Sequence, residues 1–325
     1  MRYTQWRDEF EHFLSTLDEE ERGEILSYYA EMYADKRDEG LSEEEVVAQF
    51  GAPYDAARKI LDGEEVKYKK SEQSTDAEQQ REDEQAHFLS DGAVDALELN
   101  GALGNASINF YDGDKVQVDY PASALFKYRV TQQGGKVKIE HKSIKWKSSV
   151  IKRKIMPDTV VLIPRELVPD LDITLAAGNV TVGDGEYGNI NIYVEGGALK
   201  AGRLTCQDMK VITDAGKTEI ESAISHRLHA EVNAGKLDCG SVCGSTAQFR
   251  INAGSADIGE TDCKRTEVYV SIGKAKLTLC GAREDYDAEI KNNLGSCNLE
   301  GRSLNCERSI KAEVSLGSLN VEFTR

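Results

Sequence analysis

The sequence predicts a mainly β fold, a parallel β-solenoid (β-helix) of 19–22-residue coils preceded by a small N-terminal α-helical bundle. Glycine spacing is the first observation: Gly178, Gly197, Gly216, Gly235, Gly254 and Gly273 stand 19 residues apart, Gly295 and Gly317 follow at steps of 22, and Gly104 looks like a solitary earlier copy. A metrical repeat of this length makes the structural unit one coil, stable only when stacked on its neighbours. The second observation is period-two apolarity on both sides of each glycine, as in Val268 and Val270 before Gly273 and Ala275 and Leu277 after it. Such alternation describes two short strands with one buried face each. The third is helical periodicity confined to residues 1–62. A β-propeller needs four strands and roughly forty residues per blade, so coils of 19 exclude it.

From the N-terminus, Trp6, Phe10, Phe13, Leu14 and Leu17 recur at helical spacing. Asp18 with Glu21 caps a second helix carrying Ile25, Leu26, Tyr28, Tyr29, Met32 and Tyr33, and Gly40 stops it. Ser42 to Glu45 is a capping box for a third helix through Val46, Val47 and Phe50, and Gly51-Ala52-Pro53 closes that helix and opens a fourth with Ala57, Ile60 and Leu61. Such a bundle is too small for a comfortable catalytic cleft and reads as an interaction module, with Tyr29, Glu31 and Tyr33 as its candidate contacts. Residues 63–90 are polar, acidic and without apolar period, which describes a flexible linker.

Residues 91–325 form the expected solenoid, with a less regular basic insertion at about 110–165. Within it, residues 127–154 hold ten basic side chains against the single Glu140. Lys142, Lys145, Lys147, Lys152, Arg153 and Lys154, with Trp146 among them, are the candidate interaction residues. Three readings stand side by side: an edge strand guarded by lysines, a dock for the acidic helical module within the chain or in a dimer, and a patch for nucleic acid or an anionic membrane surface. In the regular coils the residue before each glycine slips the alternation, marking a corner, and return segments such as residues 183–186 and 240–244 close the coil. Asn292 breaks the inward apolar series in the first 22-residue repeat.

The formal net charge of −17 disfavours nucleic acid as a partner of the whole molecule, and most of it comes from residues 1–90. No apolar run approaches membrane-span length, and the first residues lack the pattern of a signal peptide, so the expected address is cytoplasmic, with surface exposure as the alternative. Cys239 and Cys297 fall on inward positions and read as core thiols. His12, His87, His141, His226 and His229 have no nucleophile elbow or metal-helix motif beside them and read as surface residues. The acids Asp238, Asp257, Glu260, Asp262 and Glu300 do not recur at one phase of the coil, against a polysaccharide-active β-helix enzyme. No catalytic residue, metal ligand or cofactor is expected.

Leu17 to Leu61, with Tyr28-Tyr29-Ala30-Glu31-Met32-Tyr33, Glu39-Gly40-Leu41-Ser42-Glu43-Glu44-Glu45-Val46 and Phe50-Gly51-Ala52-Pro53, resembles the bacterial HAAS signalling domain. From about Val94 to the end, the Leu-Gly and Ala-Gly corners and the step Val160-Val161-Leu162-Ile163-Pro164 are similar to the candidate-adhesin family of β-solenoids of unknown function. The first resemblance implies a protein that accompanies PadR-type transcriptional regulators, and neither implies a catalytic residue. Many relatives carry membrane helices between the two parts, where this chain has Ser71 to Ser90. The expected function is therefore a non-enzymatic regulatory or scaffold protein acting through protein–protein contacts, the alternative being an adhesin-like surface binder of carbohydrate or protein.

Overall fold

A computed structural model describes residues 1–15, 17, 19–38, 40–65, 85–121, 126–143 and 158–325. Asp18, read above as a cap, and most of the acidic linker lie outside them. The chain forms two compact units, one within Met1–Gln85, the other made of Ala86–Tyr120, Tyr128–Lys142 and Asp158–Arg325.

Four helices build the first unit: α1 (Tyr3–Phe13), α2 (Glu19–Asp38), α3 (Glu43–Phe50) and α4 (Pro53–Glu65). Trp6, Phe10 and Leu14 are fully buried, at a spacing of four that puts them on one face. The Trp6 ring lies 4.6 Å from Phe10, 5.0 Å from Tyr29 and 5.2 Å from Phe50, centroid to centroid. Its indole N–H donates to the Gly51 carbonyl at 2.7 Å, so the ring is buried without an orphaned donor. α3 opens on the capping box: Glu45 N–H donates to Ser42 Oγ at 3.3 Å and Ser42 N–H to Glu45 Oε2 at 2.8 Å.

The second unit contains β1 (Gln85–Leu89), β2 (Ala96–Gly101), β3 (Asn105–Tyr111), β4 (Gln117–Pro121), β5 (Phe126–Gln133), β6 (Lys136–Ser143), β7 (Asp158–Pro164), β8 (Asp170–Val182), β9 (Gly185–Glu186), β10 (Asn189–Leu279), β11 (Tyr286–Asn292), β12 (Ser296–Cys297) and β13 (Arg308–Phe323). β10 is unbroken because parallel pairing continues round every corner. The segment 240–244, read from sequence as a return, is thus also strand. Ile192, Val194, Ala230, Val232, Phe249, Ile251, Val268 and Val270 are buried in phase with the glycines, as the alternation predicts. Thr213 and Thr218 share that core and meet each other, Oγ1 to Oγ1 at 2.6 Å, which satisfies two hydroxyls where no water reaches.

Coil order follows the chain only between Gly178 and Gly273. At the N-terminal end the Gly104 coil lies directly on the Gly178 coil, with Leu99 opposite Ile173 and Ile108 opposite Val182. β6 and β7, which come between them in sequence, stack outside it on β2 and β3. At the C-terminal end β13 sits on β10, with Val270 opposite Val314 and Gly273 opposite Gly317, and β11 packs outside β13. The stack therefore reads Gly273, Gly317, Gly295.

Asn292 explains the reversal. Its phase points inward, and burying an unpaired amide costs on the order of 1–3 kcal/mol. In the outermost coil Asn292 is exposed, whereas β13 fills the interior slot with Ile310, Ala312 and Val314, each at most 1% exposed. Arg308 bolts the inserted strand in place: its guanidinium reaches Asp262 Oδ1 at 2.7 Å and the Cys280 carbonyl at 2.7 Å.

The corner glycines make the coils stackable. Gly235 has φ +144° and Gly254 φ +141°, in the region that favours glycine, and a Cβ on either would overlap the carbonyl oxygen of the corner glycine one coil earlier. Gly235→Val and Gly254→Val are expected to lose at least roughly 1–3 kcal/mol each in urea unfolding, from strain alone. Gly301→Ala, where a Cβ meets only the Ala288 carbonyl at 3.5 Å, should stay within about 0.5 kcal/mol of wild type.

Candidate functional site

On the helical unit, burial reassigns the sequence candidates. Tyr29 is not a surface contact: it is 9% exposed, packs edge-on against Phe10 at 4.6 Å, and burial pushes its phenol up to about 12. Tyr33 is half-buried and stacks on Tyr3 at 4.0 Å. The Glu31 side chain lies outside the described residues. Sequence reasoning missed the aromatic pair that does face outward, Phe13 at 36% exposure and Tyr54 at 53%, edge to face at 5.4 Å across α1 and α4. Periodicity alone could not single it out: Phe13 follows Trp6 by seven residues and falls beside it on the helical wheel, and Tyr54 meets it only when α1 and α4 pack.

Of the basic candidates, Lys142 is exposed, while Lys145, Trp146, Lys147, Lys152, Arg153 and Lys154 lie outside the described residues. Nearby lysines are engaged: Lys136 pairs with Glu98, and Lys138 reaches Glu140 Oε1 at 2.9 Å and Glu98 Oε1 at 3.5 Å. The Lys136 ammonium holds the Glu98 carboxyl below its usual range, against the opposing pull of burial. The two pairs to Glu98 cross from β6 to β2, as on a protected sheet, and Lys138–Glu140 runs along β6.

His141, read as a surface histidine, is buried at 4% exposure. Gly101 on the neighbouring strand creates its room, since a Cβ there would strike the imidazole Nε2. The ring stacks on Tyr128 at 5.0 Å, and its Nδ1 has no hydrogen-bond partner. Burial lowers its pKa to about 4. As pH falls from about 6.5 towards 4, the unfolded chain takes up a proton that the folded chain refuses, so stability drops, by up to about 3 kcal/mol. Urea unfolding at pH 7 and pH 4.5 should show a larger loss for wild type than for His141→Gln, and equal losses would contradict this burial.

Along the regular coils, polar side chains find partners one coil away. Asp208 and Arg227 pair with Nε to Oδ1 at 2.8 Å; His229 Nδ1 meets Gln248 Oε1 at 2.7 Å, and Gln248 Nε2 donates to Glu267 Oε2 at 2.8 Å. Asn233 Nδ2 donates to Asp214 Oδ1 at 2.5 Å, and Asn252 continues the row by bonding to Asn233. The Asp208–Arg227 and His229–Gln248–Glu267 rows line an open groove of about 550 Å³ that also includes Asn191 and Lys210. The side chains bind one another along the stack, which fixes a rigid surface rather than converging on one reacting point. Burial raises the Cys239 and Cys263 thiols to about 12, as for core packing. Among the described residues no group of three or more His, Cys, Asp or Glu is placed to hold a metal ion, and no helix is long and apolar enough to cross a membrane.

The family model described as Toastrack DUF4097 matches residues 94–317. The chain belongs to the Toastrack DUF4097 family. A HAAS model matches residues 5–59 of this Toastrack protein, in agreement with the residues that carried both resemblances. No curated protein matches the chain. Among solved structures it is similar to a candidate adhesin of Bacteroides fragilis, at 12% identity over 73% of this chain and 96% of that chain, with a TM-score of 0.47. It is also similar to a candidate cell adhesion protein of Clostridium sporogenes, at 11% identity over 74% and 99% of the two chains, TM-score 0.26. A candidate lipid binding protein of Parabacteroides distasonis matches at 14% identity over 73% and 96%, TM-score 0.33.

Proposed function

We propose that this protein is a non-enzymatic regulatory scaffold that acts in the cytoplasm. Its HAAS unit docks a protein partner of the PadR-type regulator class, and the Toastrack solenoid supplies a rigid platform. The observation that carries this reading is the Phe13–Tyr54 pair, two exposed aromatic rings on a bundle that buries Trp6, Phe10, Tyr29 and Phe50. Exposed aromatic side chains are the residue type that anchors protein interfaces. The HAAS match at residues 5–59 supports the class of partner. The seven cysteines are all free thiols, which suits a reducing compartment.

Calorimetric titration of the full chain with a PadR-type regulator from the same genome tests the reading. Phe13→Ser with Tyr54→Ser should weaken binding by at least about tenfold, as loss of an interface anchor does, with an unchanged melting temperature. Unaltered affinity in the double variant, or no binding by wild type, would overturn it.

A further inference from the structure

The position just before each corner glycine carries a second, independent signal. From the Gly178 coil onward, in stack order, it reads Ala177, Gly196, Ala215, Ala234, Ala253 and then Ile272, Leu316, Leu294, while the Gly104 coil beyond Gly178 carries a half-buried Leu103. Small residues hold it through the regular coils, and the corner of Gly273 has the same backbone conformation, φ +139°, as those before it. Nothing in the fold calls for a large aliphatic there. Yet Ile272 is 57% exposed, Leu316 50% and Leu294 83%, on three consecutive coils. Ile272 lies in register with Leu316, and Leu294 N–H donates to the Ser315 carbonyl at 2.9 Å, which sets the third side chain beside the second. Contiguous exposed aliphatics of this kind mark interaction sites on soluble proteins.

We propose that Ile272, Leu316 and Leu294 form a docking ridge for the apolar stripe of an amphipathic helix from a protein partner. Spacing selects the helix. Adjacent coils lie about 4.8 Å apart, so three coils present side chains at about 0, 5 and 10 Å along the stacking axis. Positions i, i+3 or i+4, and i+7 of a helix rise by about 4.5–6 and 10.5 Å, so one stripe meets all three. Area argues against a second copy of the chain: three side chains fall short of the roughly 800 Å² per partner that a standard stable interface buries. The rim also opposes an anionic membrane or nucleic acid, since Ser271, Ser315, Asn293, Ser318 and Ser296 are uncharged and Lys274 supplies a single cation. Glycine backbone on the flank of each ridge residue lets a helix approach closely.

The test uses the full chain and a fluorescent 18-residue peptide with leucines at positions 3, 7, 10 and 14 and glutamine, lysine and glutamate elsewhere, read by anisotropy. A scrambled peptide of the same composition is the control. Wild type should bind the patterned peptide, and Ile272→Ser/Leu316→Ser/Leu294→Ser should weaken binding by about tenfold or more. Leu294→Ser alone, at the most exposed position, guards against a folding defect and should weaken it measurably with an unchanged melting temperature. No binding by wild type, equal binding of the scrambled peptide, or equal binding by both variants overturns the proposal. So does a wild-type dimer that the triple variant dissolves, or flotation of wild type but not variant with neutral phosphatidylcholine vesicles.

Discussion

The solenoid depends on a close approach between backbones. At each corner from Gly178 to Gly273, and again at Gly317, a glycine in the left-handed region lies so near the corner glycine of the coil beneath that no Cβ fits between them. Two consequences follow from that single contact. Adjacent coils must stack in register, because a shift of one residue sets a side chain against a carbonyl oxygen and turns every inward residue outward. The strands on both sides of the corner then bury one face each, and the outward side chains align in rows that bond to one another, from Asp208–Arg227 to His229–Gln248–Glu267.

A stack of this kind has two ends, and both are handled by laying coils out of chain order. The exposed β11 edge is partly closed by its own chain, with Ala288 and Arg302 exchanging hydrogen bonds at 2.7 Å. Gly295 reflects its terminal place: unlike Gly317 it is outside the left-handed region, and a Cβ on it would press first on the Val314 side chain and less closely on the Gly317 carbonyl oxygen. The coils bearing Gly295 and Gly317 share the corner sequence Leu-Gly-Ser-x-Asn-x-Glu, so the corner sequence does not choose between them, and the inward side chains decide which goes inside.

Local physics was legible in the sequence. The capping box at Ser42, the glycine stop at Gly40 and the phase of the inward strands depend on residues close in the chain, and the structure has them where the pattern puts them. Coil order was not legible, because a repeat states which residues are equivalent and not which are neighbours. Its one trace was Asn292, an amide at an inward phase that makes sense only in a terminal coil. His141 was misread for a related reason, since the cavity that buries it is opened by Gly101, forty residues away. Among interaction candidates, Tyr29 lies on the core stripe that periodicity identifies, whereas Phe13 and Tyr54 become a pair only when α1 and α4 pack. The two proposed binding surfaces lie where tertiary packing leaves apolar side chains uncovered, on the helical unit at Phe13 and Tyr54 and on the solenoid at the last three corners.

Methyl–methyl nuclear Overhauser contacts in isoleucine-, leucine- and valine-labelled protein test the stacking account most directly. Leu277 lies opposite Val321 in the inserted order, and Leu299 occupies the equivalent place if the coils follow the chain. The account predicts a Leu277–Val321 contact and none between Leu277 and Leu299. A Leu277–Leu299 contact without Leu277–Val321 would contradict it.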